Sequence, residues 1–173
     1  ILNRKLKLLK TAQTFDGYKL PFEDNSFDLI ILAHVLEHVE HERLLLRELK
    51  RVAKHVVIEV PKDYRFGIDK RMKHFLDYGH INMYTPTSLR FLLKSEGFEI
   101  LADKISMTSP ETVKFNEFVN KKQPKSFAKN LKIESEYFIK KTLGLFLGKN
   151  KREQFANAYT VLTKTSDSNL HIF

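Results

Sequence analysis

The chain has 173 residues, within the size of one domain and long enough to bury a core. It is 42% hydrophobic and 29% charged, as globular proteins are, and no apolar run approaches the roughly 20 residues of a membrane span. Thirty Lys and Arg against 21 Asp and Glu leave a net charge of +9, which suits either an anionic partner or a solvated lysine-rich surface. The absence of cysteine excludes disulfides, thiolate metal sites and a thiol nucleophile.

Residues 1–10 mix bases with Leu2, Leu6, Leu8 and Leu9, the pattern of a short amphipathic helix rather than of a signal peptide. Thr11–Phe15 is expected to be a short strand, and Asp16-Gly17 a turn. Phe27–Ala33 is a continuous apolar run after a polar turn, Glu23 to Ser26, and reads as a buried parallel strand. Glu40–Lys54 is a helix with Leu44, Leu45, Leu49, Val52 and Ala53 on its inner face. His55–Val60 is β-branched and stops at Pro61.

Residues 62–84 lack a clean period and are expected to form a lid or substrate loop. Thr85 as N-cap, Pro86 at the first helical position and Gly97 as the stop define the next helix, with Leu89, Leu92 and Leu93 inward. Phe98–Leu101 is a strand. Residues 107–156 are a lysine-rich helical insertion in which Leu143, Leu145, Phe146 and Leu147 make a compact apolar cluster. Ala158–Thr163 alternates and supplies the last strand, followed by a polar tail from Lys164.

Strands alternating with helices predict an α/β fold, a single domain over 1–173 built on a mostly parallel, doubly wound sheet. In such sheets ligands sit beyond the carboxyl ends of the strands. His34, Glu37 and His38 fall at one of those ends, and positions i, i+3 and i+4 share a helical face.

Two stretches carry a family resemblance. Asp16 through Leu20-Pro-Phe-Glu-Asp-Asn-Ser-Phe-Asp-Leu-Ile30, with Val35-Leu-Glu-His-Val39, resembles the middle of the class I S-adenosylmethionine-dependent methyltransferases of the type 11/23 kind. The block from Gly79-His-Ile-Asn-Met-Tyr84 to Ile100 is similar to a later helix–strand unit of the same Rossmann-like fold. The resemblance implies an enzyme that uses S-adenosylmethionine and releases S-adenosylhomocysteine, and the lack of cysteine fits a cytoplasmic protein. It gives the Asp16 carboxylate the adenine amino group, lets Gly17 pass close to the ring, and places Ala33 and His34 at the methionine end of the cofactor. Asp16-Gly17 as a plain turn is the competing reading.

Glu37, His38 and His80 are the candidate catalytic residues, with His38 or His80 as base toward a small methyl acceptor, an oxygen or nitrogen of an anionic metabolite. No metal is assigned. Two branches of the family, small-RNA 2′-O-methyltransferases and ubiquinone-pathway O-methyltransferases, hold a metal with Glu-x-x-Glu-His and a later His. His34-x-x-Glu37-His38 with His80 resembles that set, with His in place of the first Glu. A metal-assisted RNA or quinone-precursor O-methyltransferase is therefore the alternative, and a non-catalytic scaffold the rival from another class.

Ala33-His-Val-Leu stands where base-amino methyltransferases carry Asn/Asp-Pro-Pro-aromatic, so nucleic acid is open as a partner but not favoured. No membrane partner is expected, and the oligomeric state is left open. The family's opening strand, glycine-rich loop and second strand have no counterpart in the sequence. The resemblance implies a longer folded unit, with Phe27–Ala33 otherwise left at an open sheet edge.

Overall fold

The computed structural model describes residues 12–64, 67–147 and 153–166. The expected helix over residues 1–10 lies outside them, as does the tail beyond 166. Four strands, β1 (Phe27–Ala33), β2 (Ala53–Pro61), β3 (Phe98–Ser106) and β4 (Ala158–Thr165), form one sheet in the order β1-β2-β4-β3. The helices are α1 (Glu42–Val52), α2 (Met72–Tyr78), α3 (Pro86–Ser95), α4 (Pro110–Phe115) and α5 (Phe127–Phe146).

Among the described residues only β1 and β2 pair in parallel; β4 runs antiparallel to both β2 and β3. The α/β expectation is met, but the sheet is mixed rather than mostly parallel. The reason lies in the connection: the long segment after β3 returns the chain at the same end of the sheet, so β4 must run back. Ala33, Glu59, Thr160 and Lys104 are partners along one row across all four strands. The carboxyl ends of β1, β2 and β3 therefore share one edge, and the segments after Pro61 and after Ser106 both leave from it.

The core explains these placements. β2 alternates, with Val56, Ile58 and Val60 fully buried on one face. Leu45, Leu46 and Leu49 of α1, Leu89 and Leu93 of α3, and Tyr159 and Val161 of β4 belong to the same cluster. α3 begins at the N-cap expected at Thr85, and Ser88 completes a capping box there: Thr85 Oγ1 accepts from Ser88 N at 3.0 Å, and Ser88 Oγ accepts from Thr85 N at 2.9 Å. Gly97 follows at φ +81°, a left-handed conformation that favours glycine.

Several expectations are corrected. Residues 12–15 form no strand; they are exposed and no described strand pairs with them, while Thr11 lies outside the described residues. Among the described residues β1 is an edge strand, not a buried one: Leu29 is 49% and Ile31 67% exposed, on the face opposite Ile30 and Leu32, which pack on the core. The inner face of α1 is rotated by about one residue, so Leu46 is buried and Leu44 is not. β2 begins at Ala53, directly after the last residue of α1. β3 runs to Ser106, five residues past the expected end, since β4 pairs with it throughout. The proposed cluster in the insertion is absent: Leu143, Leu145 and Phe146 are exposed on α5, because their spacing spreads them around the helix. Residues 62–84 hold a turn of 3₁₀ helix (Ile68–Arg71) and α2 rather than an irregular loop throughout.

Candidate active site

β1 ends at Ala33, and the chain turns sharply at His34, whose φ of +53° is rare for a residue with a side chain. The His34 N–H donates to Glu59 O at 2.9 Å, which holds the turn against β2. A short 3₁₀ turn, Leu36–His38, follows. It buries the Glu37 side chain to 1% exposure and leaves His38 near the surface. The Gly79–Asn82 strip is stitched onto this turn: Ile81 N and Asn82 N both donate to Glu37 O, at 2.9 and 3.0 Å. The Asn82 side chain adds a bond to Val39 O at 2.6 Å. These bonds carry His80, far away in sequence, to the side of Glu37 and His38.

The structure thus brings all three candidate catalytic residues together. Ligand atoms of Glu37, His38 and His80 lie within 4.8 Å of one another. His38 Nδ1 donates to Gly79 O at 2.9 Å; a carbonyl can only accept, so the neutral ring carries its proton there and Nε2 is the basic nitrogen. That Nε2 is 3.8 Å from Glu37 Oε1. His80 Nδ1 meets Asp63 Oδ2 at 2.5 Å, both side chains nearly buried, and the two imidazoles pack edge to face with centroids 4.9 Å apart.

Both Glu37 carboxylate oxygens are buried and have no hydrogen-bond partner. Their nearest basic neighbour is His34 Nδ1 at 3.4 Å, whose Nε2 is in turn 3.3 Å from Glu59 Oε1. Burial, then the charges of Glu42 and Glu37, push the nearby Tyr84 phenol up.

Asp16 and Gly17 sit on a separate segment. Asp16 Oδ1 accepts from Tyr18 N at 2.8 Å and Lys19 N at 2.7 Å, forming a tight turn whose amides hold the carboxyl below its ordinary value. Asp16 Oδ2 takes no part in that turn. Gly17 has φ +93° and nothing within 4 Å of the place a Cβ would occupy. The Tyr18 ring packs on His41 at 5.7 Å, three residues past His38, which puts this turn on the carboxyl side of β1. Arg51 anchors the segment that follows, donating to Leu20 O, Phe22 O and Asp24. No described contact joins Asp16 or Gly17 to Ala33 or His34.

Sequence reasoning missed Glu59, Asp63 and Asn82. Glu59 holds His34 and accepts from Thr160 Oγ1 at 2.7 Å. Its signal was present as the one charge inside a β-branched run, two residues before Pro61.

A family model described as a methyltransferase domain matches residues 5–103, more than half of the chain. The chain belongs to the methyltransferase domain family. Among curated relatives, a demethylmenaquinone methyltransferase of Thermotoga maritima is 30% identical over 111 residues, covering 49% of this chain and 48% of the relative. A ubiquinone/menaquinone biosynthesis C-methyltransferase of Paraburkholderia phytofirmans is 30% identical over 112 residues, 62% of this chain and 44% of the relative. This methyltransferase-family chain spans under half the length of the curated relatives it matches. Its fold is shared with phosphoethanolamine N-methyltransferase 2 of Haemonchus contortus, solved with S-adenosyl-L-methionine: TM-score 0.53 at 15% identity, over 88% of this chain and 36% of that one.

Proposed function

We propose that the complete protein transfers the methyl group of S-adenosylmethionine to an oxygen or nitrogen of a small, anionic metabolite. The observation that carries the reading is the convergence of His38 and His80 on buried Glu37 at the carboxyl end of the strands, in a chain of this family. S-adenosylmethionine supplies an electrophilic methyl on a sulfonium sulfur. What remains for the protein is to place the acceptor in line and take its proton.

His38 suits the base: its proton is fixed on Nδ1 by Gly79 O, so Nε2 is the nitrogen that receives one. His80, backed by Asp63, packs on that ring and positions it. Residues 62–84 and 107–156 would form the acceptor side, since both leave from the edge that carries these groups. Asp16 and Gly17 fit the adenine end through the open space over Gly17, and Ala33 and His34 the methionine end.

Calorimetry of the complete protein with S-adenosylhomocysteine tests the reading. Asp16→Ala should weaken binding by about 1–2 kcal/mol, the scale of one charge-assisted hydrogen bond. Asp16→Asn, which keeps the Oδ1 of the turn, separates the ligand contact from the turn. Unchanged affinity in Asp16→Ala removes Asp16 from the site, and no binding by the parent protein ends the cofactor reading.

One observation favours a second reading, a metal-assisted O-methyltransferase acting on an RNA or quinone-precursor hydroxyl. Glu37 offers two buried oxygens without hydrogen-bond partners beside His38 and His80. Gly79 O and Asp63 are the kind of outer acceptors that orient metal-binding imidazoles. Four-coordinate N/O ligation at about 2.0–2.2 Å sets neighbouring ligand atoms roughly 3.4 Å apart, so the three groups fit an ion after side-chain shifts of about 1 Å. Such an ion would acidify a bound hydroxyl. Titration with Mn²⁺ or Zn²⁺ should then show one site that Glu37→Gln and His80→Ala each abolish; a parent protein that binds neither leaves the base reading alone.

A further inference from the structure

α5 is 20 residues long, roughly 30 Å, yet only Gly144 on it is buried. Its inner side faces α4, where Ile133 and Tyr137 line a cleft with Pro110 and Val113. Its outer side is apolar. Spacings of four, seven and seven residues put Phe127, Leu131, Phe138 and Leu145 within roughly 40° of one line along the helix. Ile139 and Phe146 widen the sector, and all six are more than half exposed. Exposed large apolar residues scattered singly are ordinary; six on one sector of a helix, with only Ser135 and Thr142 as polar residues among them, mark a surface that something covers.

The charge around the row states what kind of partner fits. Residues 121–147 carry seven lysines and two glutamates, in a chain whose net charge is +9. Both glutamates are already engaged, Glu134 by Lys114 and Glu136 by Lys132 and Lys140. A second copy of this helix would bring lysines against lysines. Nucleic acid would satisfy the charge and stack on Phe127, Phe138 and Phe146, but would leave Leu131, Ile139 and Leu145 uncovered, since nucleic-acid platforms stack on aromatic faces. An apolar face edged by lysines suits the boundary between anionic headgroups and acyl chains, where such a helix lies in the plane.

We propose that the outer face of α5 docks on an anionic phospholipid bilayer, with Phe127, Leu131, Phe138 and Leu145 entering the acyl boundary and the flanking lysines meeting the headgroups. The helix lies along the membrane and does not cross it, consistent with no described helix being long and apolar enough for a span. The sequence expectation of no membrane partner rested on the absence of such a span and does not weigh against this surface. The proposal is independent of the methyl-transfer reading.

The test is vesicle co-sedimentation of the full chain, using phosphatidylcholine vesicles with and without phosphatidylglycerol. Partitioning should be at least about tenfold stronger with phosphatidylglycerol and should fall as salt rises. Phe138→Glu combined with Leu145→Glu should cut it at least about tenfold, with the circular dichroism spectrum and melting temperature unchanged because both side chains are exposed. Absence of binding to phosphatidylglycerol vesicles at low salt overturns the proposal. Full binding by the double variant reduces the effect to charge alone and overturns it as well. A dimer in sedimentation equilibrium that the same substitutions dissolve would assign the face to a second copy instead.

Discussion

Glu37 should make the fold less stable than it could be. Its side chain is 1% exposed, neither carboxylate oxygen has a hydrogen-bond partner, and the nearest imidazole nitrogens stand at 3.4 and 3.8 Å, beyond good hydrogen-bonding range. Replacing a buried carboxyl that lacks hydrogen-bond partners with an apolar side chain of similar volume removes a desolvation cost of about 1–3 kcal/mol. Glu37→Met keeps the length and removes the charge. It should raise the melting temperature by roughly 2–4 °C per kcal/mol in a chain of this size, a rise of about 2–12 °C. Glu37→Gln, which still buries an amide, should gain less. The assay is thermal denaturation by circular dichroism in a metal chelator, so that no bound ion contributes. Cofactor-dependent activity should fall in both variants while stability rises. If both variants melt lower than the parent, the histidines pair with Glu37 well enough to make it a structural group, and the catalytic reading of the cluster loses its main support.

Glu96 gives a pH prediction. Burial raises its pKa, but the hydrogen bonds and charges of Arg47 and Arg43 outweigh this and hold it below the usual carboxylate range. A lowered folded pKa contributes stability above the unfolded value, and that contribution is lost as pH falls through the folded value. Urea titration should therefore find Glu96→Gln about 1–2 kcal/mol less stable at pH 7, at the modest end because both arginines are well exposed, with the gap closing below about pH 4. An equal gap at both pH values would show that the loss is packing, not charge. In the core, Leu46→Ala should cost about 2–5 kcal/mol, while Leu44→Ala, on the exposed side of the same helix, should stay within about 0.5 kcal/mol. Comparable losses at the two positions would contradict the observed rotation of α1.

The elements with several agreeing local signals were legible in the sequence. Pro86, Thr85 and Gly97 fix α3 by chemistry internal to a dozen residues, and the runs at Phe27 and His55 could only be strands. The face of α1 was not legible to the residue: Leu44, Leu45 and Leu46 are adjacent, and only packing against β2 and α3 decides which of them is buried. The strand expected near Thr11 had residues of suitable type but no described neighbour to bond with. At the site, Glu37, His38 and His80 could be nominated from spacing and resemblance. Asp63 could not, because a lone carboxylate near a strand end gains meaning only when a histidine from another element lies beside it, and the charge of Glu59 inside a β-branched run marked the position but not its role.

The position of β4 has a consequence for synthesis. This strand sits between β2 and β3 and hydrogen-bonds both, so no pairing on its side of the sheet can form before residues 158–165 leave the ribosome. Until then the nascent chain holds one parallel pair, β1–β2, and β3 waits unpaired with its apolar face open. Folding of this sheet is therefore closed by its most distant contacts, Glu59 to Thr160 among them, which makes it slow and leaves a window in which a chaperone or a misplaced strand can occupy the vacant slot.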